Sequence, residues 1–184
     1  MKRLYEQLEE IAKRLASHSP KDWDHAYQAL VLKGKSPLFQ RKVLIEDVAA
    51  GITRVEFKKI SKRAFLNIIQ FGEKINLFDT KNCGFHASAK DLHEVGIFEN
   101  FLRQMISMTL KNNGVGSIGE LITSIDKINP PALTDSMTIY EVISKKAGGI
   151  FKLKEGDFLK ILNLMVDLGA LKSSSKKIYS KKQK

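Results

Sequence analysis

With one cysteine, Cys83, among 184 residues, the chain can form no internal disulfide, so its fold must rest on burial and hydrogen bonding. No apolar run approaches the roughly 18 residues that a membrane-spanning helix needs. The opening segment MKRLYEQLEEIAKRL breaks its apolar positions with acids, where a secretory leader requires an uninterrupted stretch. We therefore expect an intracellular, cytoplasmic chain with no membrane partner. No glycine-rich phosphate loop is found, no Ser/His/Asp arrangement can be argued from spacing, and there is no internal repeat.

Acids are scarce too, and unevenly so. Lys and Arg number 31 against 20 Asp and Glu, a formal net charge of +11. Residues 33–63 hold nine cations (Lys33, Lys35, Arg41, Lys42, Arg54, Lys58, Lys59, Lys62 and Arg63) against three acids, Glu46, Asp47 and Glu56. Residues 172–184 hold six lysines, among them Lys172, Lys176, Lys177, Lys181 and Lys182, and no acid. The remainder is close to balanced. Positive charge gathered in two stretches is what tracking a phosphate backbone requires. These cations are the expected contacts to DNA, with RNA as the related alternative.

What is present is helical patterning. The chain is 43% hydrophobic and 28% charged, enough apolar material for one large domain or two small ones. Leu4, Leu8, Ile11 and Leu15 form a stripe over residues 2–16, expected to pack on its own domain, with a homodimer seam as the other use. Ser19-Pro20 opens a second helix carrying Trp23, Tyr27, Leu30 and Val31, and Ser36-Pro37 opens a third. Thr53 and Glu56 have capping-box spacing, predicting a helix from Arg54 to about Leu77 with a break near Ser61. Asp79 to Gly84 is turn-rich, and a short helix is expected near 89–94. The next helix places Ile97, Phe101, Leu102, Met105 and Ile106 on one face and stops at Asn112-Asn113-Gly114. Ser117 and Glu120 form a second capping box ahead of Ile118, Leu121, Ile122 and Ile125, and Pro130-Pro131 closes that helix. Met137, Tyr140 and Ile143 mark another helix, and Ile150 to Lys152 is expected as a short strand.

Residues 155–184 carry the densest signals. Phe158, Ile161, Leu162, Met165 and Leu168 recur with one-sided helical spacing until Gly169. Ala170-Leu171-Lys172, Ser173-Ser174-Ser175 and Lys176-Lys177-Ile178-Tyr179 then read as strand, loop, strand. This helix and basic hairpin resemble the last helix and wing of a winged-helix domain, whose order is helix, strand, helix, helix, strand, wing, strand. Two registers are possible, and each departs from that order, the first by an inserted helix and the second by a missing middle helix. One begins with helix 97–111, continues with 117–128 and inserts 136–146. The other begins with 136–146 and uses strand 150–152. The resemblance implies DNA binding, yet the last helix shows Asp157, Lys160, Asn163 and Asp167 on its polar face, two acids against one base. The wing and tail lysines are therefore the expected contacts, made to backbone phosphates. A winged helix used instead as a protein-binding adaptor is the alternative.

Val43 to Phe65 resembles a helix-turn-helix, with a bend at Gly51-Ile52 followed by a basic helix; Asp47 stands where the small residue of that motif belongs. With Pro37-Leu38 ahead and Asn76 to Gly84 behind, the same stretch resembles a FinO/ProQ-type RNA chaperone domain. Asp47, Glu56 and Lys58 have the residue order of a PD-(D/E)xK nuclease, which would require the last two on a core strand, against the helical signals there. Cys83, His86 and His93 fall one ligand short of a structural zinc site. Asp22, Asp24 and His25 beside Trp23 are first-turn residues of a helix.

The sequence thus predicts a mainly α protein with a helical, basic N-terminal part (1–95) and a winged-helix-like C-terminal module (96–184) carrying a small β-hairpin. It is expected to be a non-enzymatic DNA-binding regulator or accessory subunit, with no metal and no cofactor.

Overall fold

The computed structural model describes residues 4–18, 21–31, 61–86, 98–128, 134–173 and 178–181. Helices dominate them, with two small antiparallel sheets. The chain divides into two compact units, Met1–Gly96 and Ile97–Lys184. Among the described residues no helix is long and apolar enough to cross a membrane.

In the N-terminal unit, α1 (Leu4–His18) buries Leu8, Ile11 and Leu15 together with Ala12, so the apolar stripe is used inside the unit. It packs against the two following helices and the second strand of the hairpin. α2 (Trp23–Val31) begins where Asp22 Oδ1 accepts the His25 N–H at 2.7 Å, the N-cap bond that satisfies a free amide of the first turn. α3 (Lys62–Lys74) starts at the expected break: Ser61 is its N-cap and its Oγ accepts the Ala64 N–H. At its other end Asn76 takes the left-handed conformation (φ 58°), and Leu77 N–H returns to Gly72 O at 2.8 Å. Asparagine tolerates that conformation better than most residues, and the returning bond satisfies a carbonyl the helix leaves open.

β1 (Phe78–Asp79) and β2 (Gly84–Phe85) form a hairpin in the turn-rich stretch, pairing Phe78 with Phe85. Trp23 lies 6.4 Å from Phe65 and 6.0 Å from Phe78 between ring centroids, and its indole N–H donates to Thr80 O at 2.9 Å. Aromatic packing and one long-range hydrogen bond thereby fix α2 and α3 to the hairpin. A Cβ on Gly72 would stand 2.2 Å from Phe78 Cδ2 in this fully buried ring. We expect Gly72→Ala to destabilise the unit by about 1–3 kcal/mol, the usual cost of overpacking, measured by denaturant unfolding. An unchanged midpoint would show that the ring has room to move.

The C-terminal unit opens with α4 (Phe98–Asn112), which buries Phe101, Leu102, Met105, Ile106 and Leu110. It ends at Gly114 (φ 72°), where Val115 N–H returns to Leu110 O at 3.0 Å. α5 (Ile118–Ile128) has the expected capping box: Glu120 N–H donates to Ser117 Oγ at 3.2 Å and Ser117 N–H to Glu120 Oε2 at 2.5 Å. Next come β3 (Thr134–Asp135) and α6 (Ser136–Ala147), the latter capped by Asp135 Oδ1 accepting from Met137 N–H. Its inward residues are Ile139 and Ile143, whereas Met137, expected on that face, is exposed.

Ile150 to Lys152 is not a strand. Gly148–Ile150 is a turn of 3-10 helix, and residues 151–154 lead directly into α7 (Glu155–Asp167). The Phe151 ring packs against Tyr140 and Phe158, with all three centroid distances between 5.7 and 5.9 Å. Lys152 N–H donates to the Asn113 side chain at 2.8 Å, so this backbone is held by packing and a side chain instead of a neighbouring strand. In α7 Phe158, Ile161, Leu162, Leu164 and Met165 are fully buried, and Gly169 (φ 67°) closes the helix as predicted. β4 (Leu171–Ser173) and β5 (Ile178–Lys181) form the expected hairpin, with Leu171 opposite Lys181 and Ser173 opposite Tyr179.

β3, too short to be read from periodicity, pairs antiparallel with β5, placing Thr134 opposite Tyr179. The sheet order is β3-β5-β4. From α5 onward the elements run helix, strand, helix, helix, strand, strand, with α4 ahead of them. Neither register expected from the sequence has this order, because both lacked β3.

Candidate nucleic-acid interface

Of the basic stretch at 33–63, the described residues include its end. Lys62 and Arg63 occupy the exposed first turn of α3. Cations there oppose the helix dipole, at about 0.3–1 kcal/mol each. Asp24 of α2 offsets part of this, its Oδ1 lying 2.6 Å from Lys62 Nζ, while both side chains stay more than half exposed. The positions of Lys33, Lys35, Arg41, Lys42, Arg54, Lys58 and Lys59 lie outside the described residues. So do the helix-turn-helix bend at Gly51, the Thr53 and Glu56 box, and the nuclease-like trio of Asp47, Glu56 and Lys58.

In the C-terminal stretch Lys172 stands exposed on β4, opposite Ser180. Lys181 closes β5, while Lys176, Lys177 and Lys182 lie outside the described residues. The polar face expected on α7 is corrected at one position. Asp157 is buried (6% exposed) in the first turn, where a negative charge suits the helix N-terminus, with Lys160 Nζ 3.6 Å away. Asn163 is exposed and Asp167 half-buried. Arg103 lies at the other end of α7, donating to Leu168 O and, at 2.8 Å, to Glu99 Oε1. The outer face of α7 is therefore nearly neutral, with half-buried Leu159 and Val166 beside Asn163.

A third basic stretch escaped the sequence reading. Residues 145–154 (KKAGGIFKLK) hold four lysines and no acid. Lys145, Lys146, Lys152 and Lys154 are all exposed. Phe151 and Leu153 turn inward on either side of Lys152, and Tyr140 Oη donates to Leu153 O at 3.5 Å. Lys146 adds its charge to the Ser117 hydrogen bonds that hold the Glu120 carboxyl below its usual range. The signal was the absence of acids from ten consecutive residues; it was overshadowed by the larger patches.

Cys83 is buried at φ 49°, and burial, then the charge of Asp22, pushes its thiol up to about 11. It is therefore a protonated, weakly nucleophilic thiol at neutral pH. His86 is near the Asp79 turn, whose carboxylate is held low by the Asn82 side-chain and backbone amides. His93 lies outside the described residues, among which no group of three or more His, Cys, Asp or Glu is placed to hold a metal ion.

No protein-family model, no curated protein and no solved structure matches this chain.

Proposed function

We propose that the chain is a non-enzymatic nucleic-acid-binding protein, an intracellular regulator or accessory subunit, whose C-terminal unit is a winged-helix-like module gripping duplex DNA chiefly through its phosphates. The observation that carries this reading is the order of elements after α4. Helix α5, strand β3, helices α6 and α7, then strands β4 and β5 follow one another as in a winged helix, and the early strand closes on the last one in the order β3-β5-β4. The residues between β4 and β5 are the wing of that reading, carrying Lys176 and Lys177. Net charge of +11 supports phosphate as the ligand, because each neutralised phosphate releases condensed counterions.

The nearly neutral face of α7 favours contact through the wing and the basic stretches over reading of base edges. The same face is the observation behind a second reading, an adaptor in which Leu159, Asn163 and Val166 meet a protein.

Titrating the full chain against several unrelated duplexes of one length, and against single-stranded DNA and duplex RNA, tests the proposal. Similar affinity for all DNA duplexes, above that for the other two ligands, is the expected result. Negligible binding to all of them would favour the adaptor, and magnesium-dependent cleavage abolished by Glu56→Ala would replace both readings with a nuclease.

A further inference from the structure

We infer that the α6–α7 connection, residues 145–154, is a second duplex-DNA contact of the C-terminal unit, in which four lysines take phosphates on either side of an apolar tip, Ile150. The inference rests on the nucleic-acid reading above and assigns a surface that the wing and tail do not include. Ile150 is 60% exposed, the most exposed large apolar side chain among the described residues, and it lies between two lysine pairs. Gly148 and Gly149 precede it, and a Cβ on either would meet nothing within 4 Å. The backbone at the tip is therefore bare and open to close approach, and Gly148 (φ 62°) holds a conformation that side-chain-bearing residues rarely adopt.

The connection is also preorganised. Phe151 is locked between Tyr140 and Phe158, Lys152 N–H is bound to Asn113, and Leu153 is buried, so Lys152 and Lys154 are presented on the outer side of an anchored segment. Little backbone entropy remains to be lost when the lysines engage a ligand. Lys145 and Lys146 stand in the last turn of α6, where the helix dipole favours cations and their placement costs no stability. Phosphates flanking an apolar sugar and base surface match this combination of charges and an exposed aliphatic side chain.

The test compares the full chain with the variant K145Q/K146Q/K152Q/K154Q and, separately, with Ile150→Ser, on duplex DNA at several salt concentrations. Each phosphate contact contributes about fivefold near 0.15 M salt and about 0.9 to the log-log salt slope. Lys146 shares its charge with Glu120, so the lysine variant should bind roughly a hundredfold more weakly, with a slope flatter by about three. Ile150→Ser should weaken binding roughly tenfold with the slope unchanged. All five side chains are exposed, so Ile150→Ser should melt with the unaltered chain and the lysine variant only slightly below it, having lost the favourable placement of Lys145 and Lys146 at the end of α6. Wild-type affinity and slope in both, with binding still impaired by alanines at 58, 59, 62 and 63, would overturn this inference and leave the DNA reading standing. Absence of duplex binding by the unaltered chain would overturn both. Loss of binding to phosphatidylserine vesicles in Ile150→Ser, with DNA affinity unchanged, would reassign the tip to a lipid surface.

Discussion

Replacing Phe158 with alanine is expected to destabilise the C-terminal unit by about 3–5 kcal/mol, the usual cost of emptying a buried aromatic site. The ring is fully buried and touches both Tyr140 and Phe151, so the loss combines transfer free energy, a residual cavity and two aromatic contacts. Against a total stability of roughly 5–15 kcal/mol for a domain, this is a large fraction. For a unit of this size it corresponds to a melting midpoint lower by roughly 12–40 °C. The effect should reach function as well, because Phe151 loses one of its two aromatic supports and with it the anchoring of Lys152 and Lys154. Val142→Ala, at an exposed position of α6, is the contrast and should shift stability by no more than about 0.5 kcal/mol. Calorimetry of the two variants checks the pair of expectations, and a Phe158 variant melting with the unaltered protein would contradict the packing described for α6 and α7.

The second large effect concerns binding. Replacing Lys58, Lys59, Lys62 and Arg63 together with alanine should weaken binding to every duplex by roughly several hundredfold near 0.15 M salt and flatten the salt slope by three to four units, at about 0.9 per lost contact. Lys62 adds a local reason for the size of the effect. Its removal leaves the exposed Asp24 carboxylate without the ammonium now 2.6 Å away, so a nearly neutral pair becomes a repulsive charge. Restoring Lys62 alone, or adding Asp24→Asn to the quadruple variant, should recover part of the affinity. Equal losses on all sequences would mark phosphate contacts; loss on a single sequence would mark base reading and contradict the backbone-centred account.

How far these features were legible in the sequence depended on the range of the interaction behind each. Helix ends were legible because their chemistry is local: the Ser117 and Glu120 box and the stops at Gly114 and Gly169 involve partners within five residues. The buried face of α7 was legible because its spacing repeats over three turns. β3 was not, because two residues carry no period and their partner strand begins 44 positions later, at Ile178. The stretch around the strand expected at Ile150 to Lys152 misled for a different reason. Its alternation of apolar and polar residues correctly indicates inward Phe151 and Leu153 with outward lysines, yet pattern alone cannot reveal that Asn113 takes the backbone donor a strand would have used. Asp157 was assigned to the polar face by residue type, although its first-turn position in α7 lets it be buried. Likewise Gly72 gives no sign in the sequence that the Phe78 ring fills the space a side chain would need.

The central claim, that this chain grips duplex DNA through its phosphates, is tested most directly by measuring the affinity of the full chain for one duplex from low to physiological salt and above. Log affinity should fall linearly with log salt concentration, at a slope near −0.9 for each phosphate engaged and several units steep in all. A flat dependence, or no measurable binding near physiological salt, would contradict it.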